Sequence, residues 1–65
     1  MYKVGTGVKD PRDALSTLAD AILTHMLNGG SGDLDYLCNI IKRRSREEIL
    51  NALRELEDAG YVEEE

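Results

Sequence analysis

The strongest constraint on this chain is the stretch Ser45-Arg46-Glu47-Glu48 followed by Ile49, Leu53 and Leu56. A serine three residues before a glutamate fits a capping box. The serine hydroxyl accepts from the Glu48 backbone N–H, and the Glu48 carboxylate reaches back to the Ser45 N–H. Ile49, Leu53 and Leu56 then recur at helical spacing, with Ala52 and Ala59 as small flanking contacts. Gly60 stops the helix, because glycine takes the left-handed conformation at a helix end, and Tyr61 can fold back onto Leu56. Tyr61-Val62 reads as the start of a strand. One apolar stripe on one helix needs other elements to cover it.

Two further helices are expected upstream. Asp10-Pro11 opens the first: Asp10 suits the cap, Pro11 the first helical position, and Asp13 the positive helix end. Leu15, Leu18, Ala19, Ile22 and Met26 form its inward stripe, and Asn28-Gly29-Gly30 ends it. The second follows Ser31-Gly32-Asp33, with either Ser31 or Asp33 as cap, and buries Leu34, Leu37, Cys38 and Ile41. Lys42-Arg43-Arg44 makes the next turn. Before the helices, Tyr2, Val4, Thr6 and Val8 alternate with Lys3, Gly5 and Gly7, which fits a short edge strand or an arm over residues 1–9. Residues 10–62 then form the helical domain, and residues 63–65 a solvated acidic tail.

With 65 residues the chain has room for one small domain. A chain so short buries about 60% of its unfolded surface, so a partner or second copy is a natural stabiliser. Its 42% apolar content and net charge of −5 suit a folded domain rather than a disordered tail. No apolar run approaches the ~18 residues of a membrane span, and the N-terminus lacks a signal-peptide core, so no membrane association and a cytoplasmic location are expected. The single cysteine, Cys38, forms neither an internal disulfide nor a multi-cysteine zinc site. His25, the only histidine, has no second ligand at i+4 and reads as a core-edge or surface residue. Asp33 and Asp35 look like capping groups at a helix start. Gly5 and Gly7 lack the full fingerprint of a phosphate-binding loop. An enzyme, a cofactor and a metal are therefore not expected.

Three helices with a short polar turn between the last two describe a helix-turn-helix unit. The segment from Ser45 to Val62 resembles the recognition helix of the winged helix-turn-helix superfamily. The matching positions are Ser45, Ile49, Leu53, Leu56, Gly60, Tyr61 and Val62, and Asp33 to Cys38 looks like the family's supporting helix. The likeness covers residues 31 to 62. It implies a mostly α fold, winged-helix-like, with at most a short two-stranded sheet, and double-stranded DNA as partner. Only three glutamates follow Val62, so a β-hairpin wing is not expected, and residues 61 to 63 can pair instead with the N-terminal segment.

The candidate DNA contacts follow from charge and position. Lys42, Arg43, Arg44 and Arg46 hold four of the eight cations, gathered where the recognition helix begins. They are expected to hold phosphates, while Ser45, Asn51 and Arg54 lie on or beside the major-groove element. Glu47, Glu48 and Asp58 oppose a polyanion, although the capping box and the helix dipole explain the first two. Leu23, Leu27, Tyr36, Ile40 and Leu50 are apolar positions beyond the inward stripes. They fit a homodimer or protein-partner surface. For Leu23, Leu27, Tyr36 and Ile40, packing against the N-terminal arm is an equal reading. The expected function is a dimeric DNA-binding transcriptional regulator; the alternative is a protein–protein interaction module on the same fold.

Overall fold

The computed structural model describes residues 1–9 and 11–64. Its elements are β1 (Tyr2–Val4), α1 (Thr17–Leu27), α2 (Leu34–Ile40), α3 (Arg46–Asp58) and β2 (Val62–Glu64), with one 3-10 turn, Arg12–Ala14, ahead of α1. The fold is mostly α with a short two-stranded antiparallel sheet.

α3 forms as its sequence dictates. The Glu48 N–H donates to Ser45 Oγ at 3.2 Å, and the Ser45 N–H donates to Glu48 Oε1 at 3.2 Å, completing the capping box. Ile49, Ala52, Leu53 and Leu56 are buried along one face. At the other end Gly60 has φ +84°. The Gly60 N–H donates to the Glu57 carbonyl at 3.0 Å and the Tyr61 N–H to the Leu56 carbonyl at 2.9 Å. These are the two bonds of a Schellman motif, which satisfies carbonyls that the helix end leaves open.

α1 starts later than its sequence suggests. The Asp10 cap lies outside the described residues. Pro11 precedes only the 3-10 turn, and Leu15 and Ser16 are extended. Ser16 is the true cap: its hydroxyl accepts from the Ala19 N–H at 3.2 Å. Arg12 then reaches across the break, pairing with Asp20 at 2.5 Å and donating to the Thr24 hydroxyl. The inward stripe shifts accordingly. Ala19, Ile22, Leu23 and Met26 are buried, whereas Leu15 and Leu18 are half-buried. Leu23 is 1% exposed and belongs to the core, so its assignment to a partner surface is corrected.

α2 contributes Leu37 to the core, with Leu34, Cys38 and Ile41 packed half-buried against it. Asp33 occupies its N-cap position without a side-chain capping bond, while Ser31 Oγ accepts from the Asp33 N–H at 3.1 Å. The helix-turn-helix arrangement is therefore α2, residues 41–45, and α3.

The chain ends meet. Tyr2 lies opposite Glu64, Lys3 opposite Glu63 and Val4 opposite Val62. On its other side, β1 is held to Gly32, through a Tyr2 N–H to Gly32 carbonyl bond of 3.2 Å. The Gly5 N–H donates to the Tyr61 carbonyl and the Lys9 N–H to the Ala59 carbonyl, both at 2.7 Å. Residues 1–9 thus strap the end of α3. Glu63 and Glu64, expected in the tail, form β2, with their side chains still exposed; Glu65 lies outside the described residues.

Gly60 is the tightest point of this strap. A Cβ there would come 1.9 Å from the Gly7 carbonyl oxygen, on a backbone already at positive φ. Gly60→Ala is expected to cost at least about 2 kcal/mol. In a domain of this size that lowers the thermal midpoint by roughly 8–16 °C. A melt followed by circular dichroism checks it; an unchanged midpoint contradicts the packing described.

Candidate nucleic-acid interface

α3 is held from beneath by its buried stripe, so its outer side chains are carried on a fixed support. Its outward face carries Glu47, Asn51, Arg54 and Asp58, all exposed. These four follow each other at three- and four-residue steps and share one line. The candidate residues Asn51 and Arg54 are therefore together on the accessible side of the helix, flanked at either end by a carboxylate. Asn51 borders an open groove between α3 and the start of α1, which Ser16, Thr17, Leu18 and Glu55 also line. The Ser16 N–H donates to Glu55 Oε2 at 2.6 Å, fixing that wall of the groove. Arg54 acts on the other flank: its charge opposes the upward push on the Tyr2 phenol from partial burial and from Glu64 and Glu57.

The candidate phosphate contacts Lys42, Arg43, Arg44 and Arg46 are all exposed, as is Ser45. They fall into two classes. Arg44 Nη1 donates to Glu48 Oε2 at 3.1 Å, and Arg46 Nη1 to Asp35 Oδ1 at 2.6 Å. Both pairs are solvent-exposed and screened, so each is weak and yields readily to a competing anion. Lys42 and Arg43 form no ion pair among the described residues. The free positive charge of the cluster thus sits in the turn, one step before the helix.

Glu48 is explained without a ligand. The Ser45 backbone N–H first, and then the Arg44 guanidinium, hold its carboxyl below the ordinary glutamate range. Ser45 is occupied in the same box, so its hydroxyl serves the helix before any base edge. Asp35, through its hydrogen bond and its charge, raises the Arg46 guanidinium further.

The apolar candidates divide as well. Leu27, Tyr36 and Ile40 are 54%, 39% and 47% exposed, Leu50 is half-buried, and Leu23 is in the core. Tyr36 stacks on His25, with ring centroids 5.7 Å apart and planes 20° apart. His25 Nε2 is buried with no hydrogen-bond partner among the described residues. Spacing alone does not announce that stack, since it joins two helices across the connection at residues 28–33. Cys38 is free and half-buried on α2. Among the described residues no group of three His, Cys, Asp or Glu side chains is placed to hold a metal ion. Among the described residues no helix is long and apolar enough to cross a membrane.

Two measurements check the capping box on which the start of α3 depends. Ser45→Ala is expected to cost about 1 kcal/mol in chemical denaturation. The Glu48 carboxyl, followed by carbon-detected NMR, is expected to titrate below an ordinary glutamate. Because the folded value is lowered, its contribution is complete above the usual glutamate range and is lost as pH falls through the lowered value. A Glu48 midpoint at or above the ordinary value contradicts the geometry. Comparison of the chain with protein-family models, with curated proteins and with solved structures finds no match.

Proposed function

We propose that the protein binds double-stranded DNA as a transcriptional regulator, with α3 in the major groove and the turn before it on the phosphate backbone. The carrying observation is that all four cations of residues 42–46 are exposed at the start of a rigidly supported helix whose outward face offers Asn51 and Arg54. Asn pairs with adenine and Arg with guanine through two hydrogen bonds each, whereas Lys and Arg at the turn neutralise phosphates. The net charge of −5 does not oppose this placement. Carboxylates dominate β2 and the end of α3, so the molecule presents its cationic turn to a polyanion and its acidic end away from it. Glu47 and Asp58 at the ends of the outward line limit the base-reading part of α3 to Asn51 and Arg54 between them. A homodimer, which places two such helices on a two-fold site, completes the reading.

A second reading keeps the fold and uses a protein partner. The exposure of Tyr36 and Ile40 on α2 favours it, together with the acidic total. It makes binding depend on Ile40, not on the arginines.

A mobility-shift titration at two salt concentrations separates them. The wild type is expected to retard duplex DNA at low salt. Arg43→Ala/Arg44→Ala/Arg46→Ala is expected to weaken binding to every duplex and to reduce the salt slope by about 0.9 for each phosphate left unneutralised. No retardation by the wild type at low salt overturns the proposal. So does retardation that the triple substitution leaves unchanged.

A further inference from the structure

Among the described residues one ion pair joins α2 to α3. It links Arg46 Nη1 to Asp35 Oδ1 at 2.6 Å, between side chains that stay 62% and 72% exposed. The fold does not require it. Leu37 of α2 is already buried in the core that Ile49 and Leu53 of α3 share, and the start of α3 is closed by its own capping box. The other paired arginine of the cluster, Arg44, meets a carboxylate that belongs to that box. Asp35 differs, because its side chain has no hydrogen bond among the described residues other than the one from Arg46. The positive end of α2 accounts for a carboxylate in its first turn, and not for its hold on a guanidinium of the next helix. Asp33, which makes no side-chain capping bond, adds a weaker pull on the same guanidinium.

We infer that Asp35 is an internal competitor for the DNA backbone: it holds Arg46 in the free protein and so limits how tightly the interface binds. This rests on the DNA reading above and names the residue that regulates its affinity. A carboxylate and a phosphate are alternative acceptors for the same planar donor. With Asp35 in place, Arg46 reaches a phosphate only by exchanging one anion for another, so it adds less to binding than a cation with no ion pair, such as Arg43. The exchange is feasible because an exposed pair is weak, and it still costs affinity because the pair is lost. Phosphate contacts carry no sequence information, so Asp35 acts alike on every duplex. It sets the strength of binding and leaves the reading of bases to Asn51 and Arg54.

Fluorescence anisotropy with an end-labelled duplex of mixed sequence, at low salt, tests the competition. Asp35→Asn keeps the side chain's shape and removes its charge. It is expected to bind about threefold more tightly than the wild type, with an unchanged circular dichroism spectrum. The gain is expected to shrink as added salt screens exposed charges. Glu63→Gln makes the same change in net charge on β2 and is expected to leave the affinity near the wild-type value. The decisive comparison is a double-mutant cycle. In an Arg46→Ala background the contested cation is gone, and Asp35→Asn is expected to lose most of its effect. An Asp35→Asn variant that binds no more tightly than the wild type overturns the inference. So does a gain that Glu63→Gln matches, or one that persists in full without Arg46. These outcomes leave the DNA reading standing, because the wild type still binds. Absence of binding by both the wild type and Asp35→Asn overturns the DNA reading, and this inference with it.

Discussion

Everything in this protein leans on the buried stripe of α3. Ile49, Leu53 and Leu56 are fully covered, and no other element supplies as many buried side chains without also resting on α3. α1 lays Ile22, Leu23 and Met26 into the same core, and α2 adds Leu37. Burying an aliphatic side chain of this size stabilises by about 1.5–3 kcal/mol. Losing one from a domain of this size removes a large share of its net stability. The ends of α3 are tied as firmly as its face. Ser45 and Glu48 close one end, and Gly60 with the N-terminal strap closes the other. The helix that offers the candidate interface is thus tied at both ends and along its buried face.

Much of this fold is legible in the sequence because local chemistry decides it. The capping box, the Gly60 stop and the α3 stripe depend on residues within one or two helical turns of each other. The structure places them where the spacing does. The start of α1 departs from its local pattern for an instructive reason. Asp10-Pro11 carries a good start signal, but so does Ser16, and the second wins because its helix is the one that α3 covers. The Glu55 carboxylate on the Ser16 N–H is a tertiary bond that no local pattern announces. Leu23 reads as a surface residue because it lies beside the stripe of its own helix. The core accepts a wider arc of α1 than one packing partner needs, since α3 and β1 both pack on it. The acidic end becomes β2 because Lys3 faces Glu63 and Val4 faces Val62, a pairing across the length of the chain.

The candidate interface is legible in position and not in electrostatic detail. Residues 42–46 form one basic run in the sequence, yet folding gives Arg44 to Glu48 and Arg46 to Asp35. Those two arginines therefore have two roles available, bracing the start of α3 or meeting an outside anion. Exposed pairs are weak enough for the exchange. Lys42 and Arg43 need no such exchange.

The most direct test is a residue-resolved NMR titration of the labelled protein with a short duplex at low salt. If α3 and its turn meet DNA, amide shifts will concentrate at residues 42–46, Asn51 and Arg54, leaving β2 and the buried face of α1 unmoved. Shifts centred instead on Tyr36 and Ile40, or no shifts at saturating duplex, would contradict the placement of the interface on α3.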